Sequence, residues 1–140
     1  MAPSQGLQIE VLRLQPGDDV RGLVVAAFAA LAADGAQAAC VISCVGSLRA
    51  AVLRYADQPQ RTVLTGTLAL SGTLSADGPH LHGSVADALG RVSGGHVMPG
   101  CVVRTTAEIV LAVLPGWAFT WVPDAATGFL ELVARRVSGE

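Results

Sequence analysis

The stretch Pro79-His80-Leu81-His82-Gly83-Ser84-Val85-Ala86-Asp87-Ala88-Leu89-Gly90-Arg91-Val92-Ser93-Gly94-Gly95-His96 holds all three histidines of the chain within 17 residues. Successive side chains of an extended strand point to opposite faces, so His80 and His82 leave the same side. Ala88-Leu89-Gly90 reads as a three-residue hairpin loop with Gly90 in the left-handed conformation. That loop pairs Asp87 with Arg91 and sets His82 opposite His96. Directly opposed residues have Cβ atoms about 4.5–5.5 Å apart, so this register gathers three imidazoles on one face. A two-residue loop would place His96 opposite Leu81 instead, and only a bulge at Gly94-Gly95 would bring it back.

Strands surround this hairpin, with one helix among them. Leu7 to Leu14 alternates as a first strand that ends at Gln15-Pro16-Gly17. The helix that follows is capped by Asp18 or Asp19, carries Leu23, Val24, Ala27, Phe28 and Leu31 at helical spacing, and stops at Asp34-Gly35. Ala38 to Val45, Ala50 to Tyr55, Arg61 to Thr67 and Leu68 to Ser75 read as four short strands. Gly46-Ser47, Asp57-Gln58-Pro59 and a bend at Gly66 separate them. Beyond the hairpin, Met98-Pro99-Gly100 breaks the chain, and a long strand runs from Val102 or Val103 to Val113. Trp117 to Val122 and Phe129 to Val133 follow, joined by a turn in which Asp124 bonds backbone amides and Gly128 takes a positive φ. With no internal repeat or low-complexity linker, the 140 residues are expected to form a single domain, 1–140, loose at residues 137–140.

Composition narrows the setting. The chain is 51% hydrophobic and only 14% charged, too little charge to cover a small monomer, so part of its surface is expected to be hidden in an oligomer. The formal net charge is −2, and the arginines are scattered from Arg13 to Arg136. That distribution lacks the basic stripe of a duplex-binding domain, so direct nucleic-acid binding is not expected. The longest apolar stretch, Leu23 to Ala33, falls short of the roughly 20 residues that cross a bilayer, and no secretory signal is evident. A soluble cytoplasmic protein is expected.

Three neutral imidazoles suit zinc, and nickel, cobalt or copper nearly as well. His80, His82 and His96 are therefore the candidate metal ligands, against the blander readings of a polar pocket or a cluster at a subunit interface. Three protein nitrogens with an open fourth position is the arrangement of catalytic zinc. Glu108 is the candidate catalytic acid or base, provided its strand pairs beside the hairpin; otherwise it makes an ion pair with a residue such as Arg104. Asp87 reads as a turn residue paired with Arg91. Arg49 and Arg54 read as solvated surface or as an anion site at a pocket rim. Trp117 and Trp121 share a strand face as core or interface. Cys40 and Cys44, on one strand four residues apart, should face the same side as core thiols, with Cys101 a third buried thiol.

In this order, Gly46-Ser47-Leu48, His80-x-His82, Gly90-Arg91-Val92, Gly94-Gly95-His96, Ala107-Glu108 and Asp124-x-x-Thr127-Gly128-x-x-Glu131-Leu132 resemble the PPC domain, the plants and prokaryotes conserved family. The resemblance implies an α/β (α+β) fold with a mainly antiparallel sheet and few helices, assembled as a homotrimer. It also implies a metal, zinc or another divalent transition ion, held by the histidines that stand here as His80, His82 and His96. Prokaryotic members commonly carry a DNA-binding label, and partner binding is associated with the domain. The AT-hook that contacts DNA in the plant members has no counterpart in this chain. A small-molecule or protein ligand is the expected partner, with a DNA-associated or protein-interaction scaffold as the alternative.

Overall fold

Two long strands stand in the middle of the chain where four short ones were expected. The computed structural model describes residues 6–137. In it, β1 (Gln8–Leu14) and α1 (Val20–Ala33) precede β2 (Ala39–Arg54) and β3 (Thr62–Ser75). The expected break at Gly46-Ser47 lies inside β2, where both residues pair with β3 and Gly46 also pairs with Ala107. Likewise Gly66 lies within β3, opposite Leu48. Glycine and serine read as punctuation in sequence, but between two neighbouring strands the same small residues permit close approach.

The remaining elements are β4 (Gly78–Ala86), β5 (Val92–Val97), β6 (Val102–Val113), β7 (Trp117–Pro123) and β8 (Leu130–Arg136). Six strands form one sheet in the order β1-β6-β2-β3-β4-β5, and every pairing is antiparallel. The far end of β2 also reaches β5, through Leu53 opposite Val97 and Arg54 opposite His96. Strands β2 to β5 thus curl into a ring at that end. The last two strands pair only with each other. The fold is therefore mostly antiparallel sheet with one short helix, as the α+β reading required.

The core lies inside the curled sheet, under the helix. Val20, Val24 and Phe28 recur every four residues and bury one stripe of α1 in the core cluster that also holds Leu48, Leu53, Leu68, Ile109 and Leu111. Neither expected cap acts through its side chain. Asp19 occupies the cap position without a side-chain bond, and Asp18 instead accepts the Gln15 amide at 2.8 Å. Backbone bonds to Cys101 and β6, Val20 N to Cys101 O and Val103 N to Asp18 O, both 2.9 Å, tie down the helix start instead.

The apolar alternation of β1 points outward, leaving Ile9 48% and Val11 66% exposed, while Leu12 and Leu14 turn to the core. One expectation about facing is corrected. Cys40 and Cys44 do not share a face, because β2 bulges between Val41 and Ser43 and shifts the alternation by one. Cys44 sits in the core opposite Ile109, and Cys40 stands on the outer side opposite Ala112. At the carboxyl end, Val137 donates its amide to Gly116 O at 2.9 Å. The rest of the expected loose end, residues 138–140, lies outside the described residues.

Candidate metal centre

The hairpin closes as the three-residue loop requires. Gly90 has φ +78°, the Asp87 amide donates to Arg91 O at 2.9 Å, and His82 faces His96 across the β4–β5 ladder. The Asp87 carboxylate accepts the Leu89 and Arg91 amides, both at 2.9 Å, and pairs with the Arg91 guanidinium at 3.2 Å. Those two amides, then the guanidinium, hold its carboxyl below the usual range. Asp87 is thus the turn residue expected.

On β4, Leu81, Gly83 and Val85 turn inward, so His80, His82 and Ser84 stand on the outer face. Gly95 allows β5 to press against β2 at this point. A Cβ there would lie 2.7 Å from Arg54 O, an approach no other residue tolerates without moving the backbone. The imidazole centroids are 4.3 Å apart for His82–His96, 5.6 Å for His80–His82 and 5.7 Å for His80–His96. One nitrogen from each ring lies within 4.8 Å of the others. Zn–N bonds of about 2.0–2.1 Å in a tetrahedron put nitrogens about 3.4 Å apart, so the rings would have to draw together for one ion to take all three.

Electrostatics favours the neutral, metal-binding form of two of the rings, His80 and His96. Burial lowers the pKa of His80, the charge of His82 lowers it further, and the Glu131 carboxylate on β8 acts in the opposite sense. His96 is lowered by burial, then by His82, Arg54 and His80. The thiols are no competitors. Burial pushes Cys44 up to about 11, and it raises Cys101, whose Sγ is engaged with the Val52 amide at 3.2 Å. Both stay protonated near neutrality, unlike a ligating thiolate.

Other residues near the cluster were not singled out for it in the sequence. Trp121 packs edge-on against His80 at 4.6 Å, brought there by the return of β7 and by its amide bond to Asp77 Oδ2 at 2.9 Å. Trp117, four residues earlier, instead lies under Arg136 at 4.7 Å. Thr73 is the register partner of His80, and its buried Oγ1 has no bonding partner among the described residues. Only Arg54 carried a sequence signal, as a rim cation. Long-range pairing, invisible in any local pattern, supplies the rest.

Glu108 is not brought to the histidines. Its strand pairs with β1 and β2 rather than beside the hairpin, so the condition for its facing the metal is not met. It stands between Arg13 and Val45 and accepts the Thr106 hydroxyl at 3.0 Å. The alternative ion pair with Arg104 is not formed either; the ion pair among the described residues is Asp87–Arg91.

Comparison with known proteins gives this geometry a context. The Plants and Prokaryotes Conserved (PCC) domain family matches residues 1–115, so the arm of β7 and β8 lies beyond the match. The chain is similar to the bifunctional protein GlmU of two Synechococcus strains, 48% identical in each. The alignment takes in 99% of this chain but 22% of the first of them, so the chain spans about a fifth of the length of those relatives. Among solved structures, a hypothetical protein from Salmonella is 40% identical with a TM-score of 0.83, covering 96% of this chain and 97% of that one. A metal-containing protein from Archaeoglobus fulgidus is 28% identical with a TM-score of 0.70, covering 90% and 93%. A Ralstonia eutropha protein whose name suggests DNA binding shares the fold alone, at 19% identity and a TM-score of 0.71, covering 88% and 89%.

Proposed function

This chain belongs to the Plants and Prokaryotes Conserved (PCC) domain family, and we propose that it works in the cytoplasm as a homotrimeric metal-binding module. In this reading His80, His82 and His96 hold a divalent transition metal, zinc foremost, at a ligand-binding or regulatory centre. The observation that carries it is the convergence of three imidazole nitrogens within 4.8 Å, on a face open to solvent. When bound, such an ion supplies a Lewis acid with a position free for a ligand. The chain's own part is to lower the pKa of His80 and His96 by partial burial and to fix the three rings on a paired hairpin. The Archaeoglobus neighbour, named as metal-containing, supports the reading. The GlmU relatives support an accessory role, since there the domain is a minor part of a longer chain.

Assembly is supported by apolar surface without a cover. Ile9, Val11 and Val45 stand exposed on the outer side of β1 and β2, and Leu23 and Val25 on the outer side of α1. No helix among the described residues is long and apolar enough to cross a membrane. Light scattering of the purified protein is expected to give three chains per particle; a monomer would remove that part of the proposal.

Elemental analysis of purified wild type and His82→Ala tests the site. Wild type is expected to carry about one metal ion per chain, and the variant to lose it, since one of three ligands is gone. Equal metal content in both would overturn the site. The alternative, a DNA-associated scaffold, requires duplex affinity that falls steeply with salt. Its support is the family label, and the net charge of −2 opposes it. Lack of duplex binding at low salt would remove it.

A further inference from the structure

The face that carries the imidazoles also carries an open cleft and an unmatched cation. Cross-strand partners stand side by side on one face of a sheet. The ladder joining β2, β5, β4 and β3 sets Arg54 beside His96, His96 beside His82, and His82 beside Ser71. One step along, the row reads Gly94, Ser84 and Ala69, side chains too small to fill the space above them. A cleft of about 310 Å³ opens there, with His82, Ser71, Ser84 and Gly94 in its lining. That volume is at the lower end for small-molecule sites.

Arg54 makes no ion pair among the described residues. A guanidinium is a cation at every physiological pH, and Arg54 stands at the His96 end of this cross-strand row. A divalent ion on the three histidines would add to that potential. The Ser71 and Ser84 hydroxyls add hydrogen-bond donors on the same face. The nearby acidic group, Glu131, acts on His80, on the other side of the cluster from Arg54. The face thus carries a cation, Arg54, at one end of the row and the Ser71 and Ser84 hydroxyls in the cleft at the other, which together match a compact anion.

The geometry points to a small oxyanion, a carboxylate or phosphate group, as the ligand of this centre, bound at the open metal position and clamped by Arg54 from the β2 side. This rests on the three-histidine reading above. Arg54 is then a positioning residue for the ligand and has no part in holding the metal.

The test loads the protein with cobalt(II), whose visible spectrum reports its coordination, and measures metal content. Inorganic phosphate is then titrated into wild type, Arg54→Gln and Arg54→Lys. Phosphate is expected to change the cobalt spectrum of wild type. Arg54→Gln should keep its full metal content yet bind phosphate about tenfold or more weakly, and Arg54→Lys should recover part of the loss, as expected for a charge-assisted contact. A spectrum indifferent to phosphate in the loaded wild type, or equal affinity in Arg54→Gln, overturns the anion assignment and leaves the metal site standing. Failure of wild type to take up cobalt overturns both.

Discussion

The hairpin of β4 and β5 and the arm of β7 and β8 are built alike, as two antiparallel strands joined by an Asp-anchored turn, yet the fold holds them in different ways. The first hairpin is paired on both sides, to β3 and to the end of β2, and buries Leu81, Val85 and Val97 beneath it. The arm has no place in the main sheet. It is held by Phe119 N to Gln37 O at 3.2 Å, by the Trp121 amide on Asp77 and by burial of Ala118, while Phe129 remains 72% exposed. A two-stranded hairpin is marginal in water by itself, so the arm depends on these few anchors. The hairpin therefore sets where the ligands are, and the arm sets what surrounds them.

The sharpest way to break this contrast is Gly95→Val. The new side chain would collide with the Arg54 and Tyr55 backbone, where neither strand can yield alone. Overpacking of this kind costs about 1–3 kcal/mol, seen as a lower urea midpoint, and the separation of β5 from β2 should abolish metal uptake as well. An unchanged midpoint would show that the ring of β2 to β5 is looser than its ladder implies. Acidification should act next. His80 and His96 have folded-state pKa values below the ordinary 6.5, so between those values and 6.5 the unfolded chain binds more protons. The metal-free protein should lose stability as the pH falls through that window, and the loss should shrink in a His80→Ala variant.

Smaller effects belong to the arm. Trp121→Ala removes the wall beside His80 and should weaken metal binding about tenfold, the lower end for a group that supports a ligand without being one. Its global unfolding midpoint should move less than that of Gly95→Val. Equal effects from the two would mean that the arm and the sheet unfold as one unit. Smallest of all is Glu108→Gln, expected to leave metal content unaltered because β2 separates its strand from the hairpin.

Legibility in the sequence follows the same division. The hairpin register could be argued from Asp87, Gly90 and the spacing of the histidines, because loop length, positive φ and strand alternation are local constraints. The ends of β2 and β3 could not, since Gly46 and Gly66 have a turn composition while their role is to admit a neighbouring strand. Which face of β1 is covered is likewise set by tertiary pairing, and Ile9 and Val11 turn outward; the bulge after Val41 defeated the parity that put Cys40 with Cys44. Trp121 reached His80 through a single long-range bond to Asp77. The condition set for Glu108 fails for the same reason in reverse, because strand order is decided by tertiary pairing that no spacing within the strand records.

The histidines sit on one short hairpin, with the cross-strand pair His82 and His96 standing 14 positions apart in sequence, and this bears on how the chain folds. Closing so small a loop takes on the order of 10–100 ns, far sooner than the long β2–β3 and β1–β6 pairings can be found. The ligands can thus meet while most of the chain is still unfolded. Metal that binds this early also binds the unfolded state, and any such affinity subtracts from the stabilisation that mass action would otherwise give. Adding metal should therefore raise the melting temperature by less than the affinity of the folded site alone would forecast.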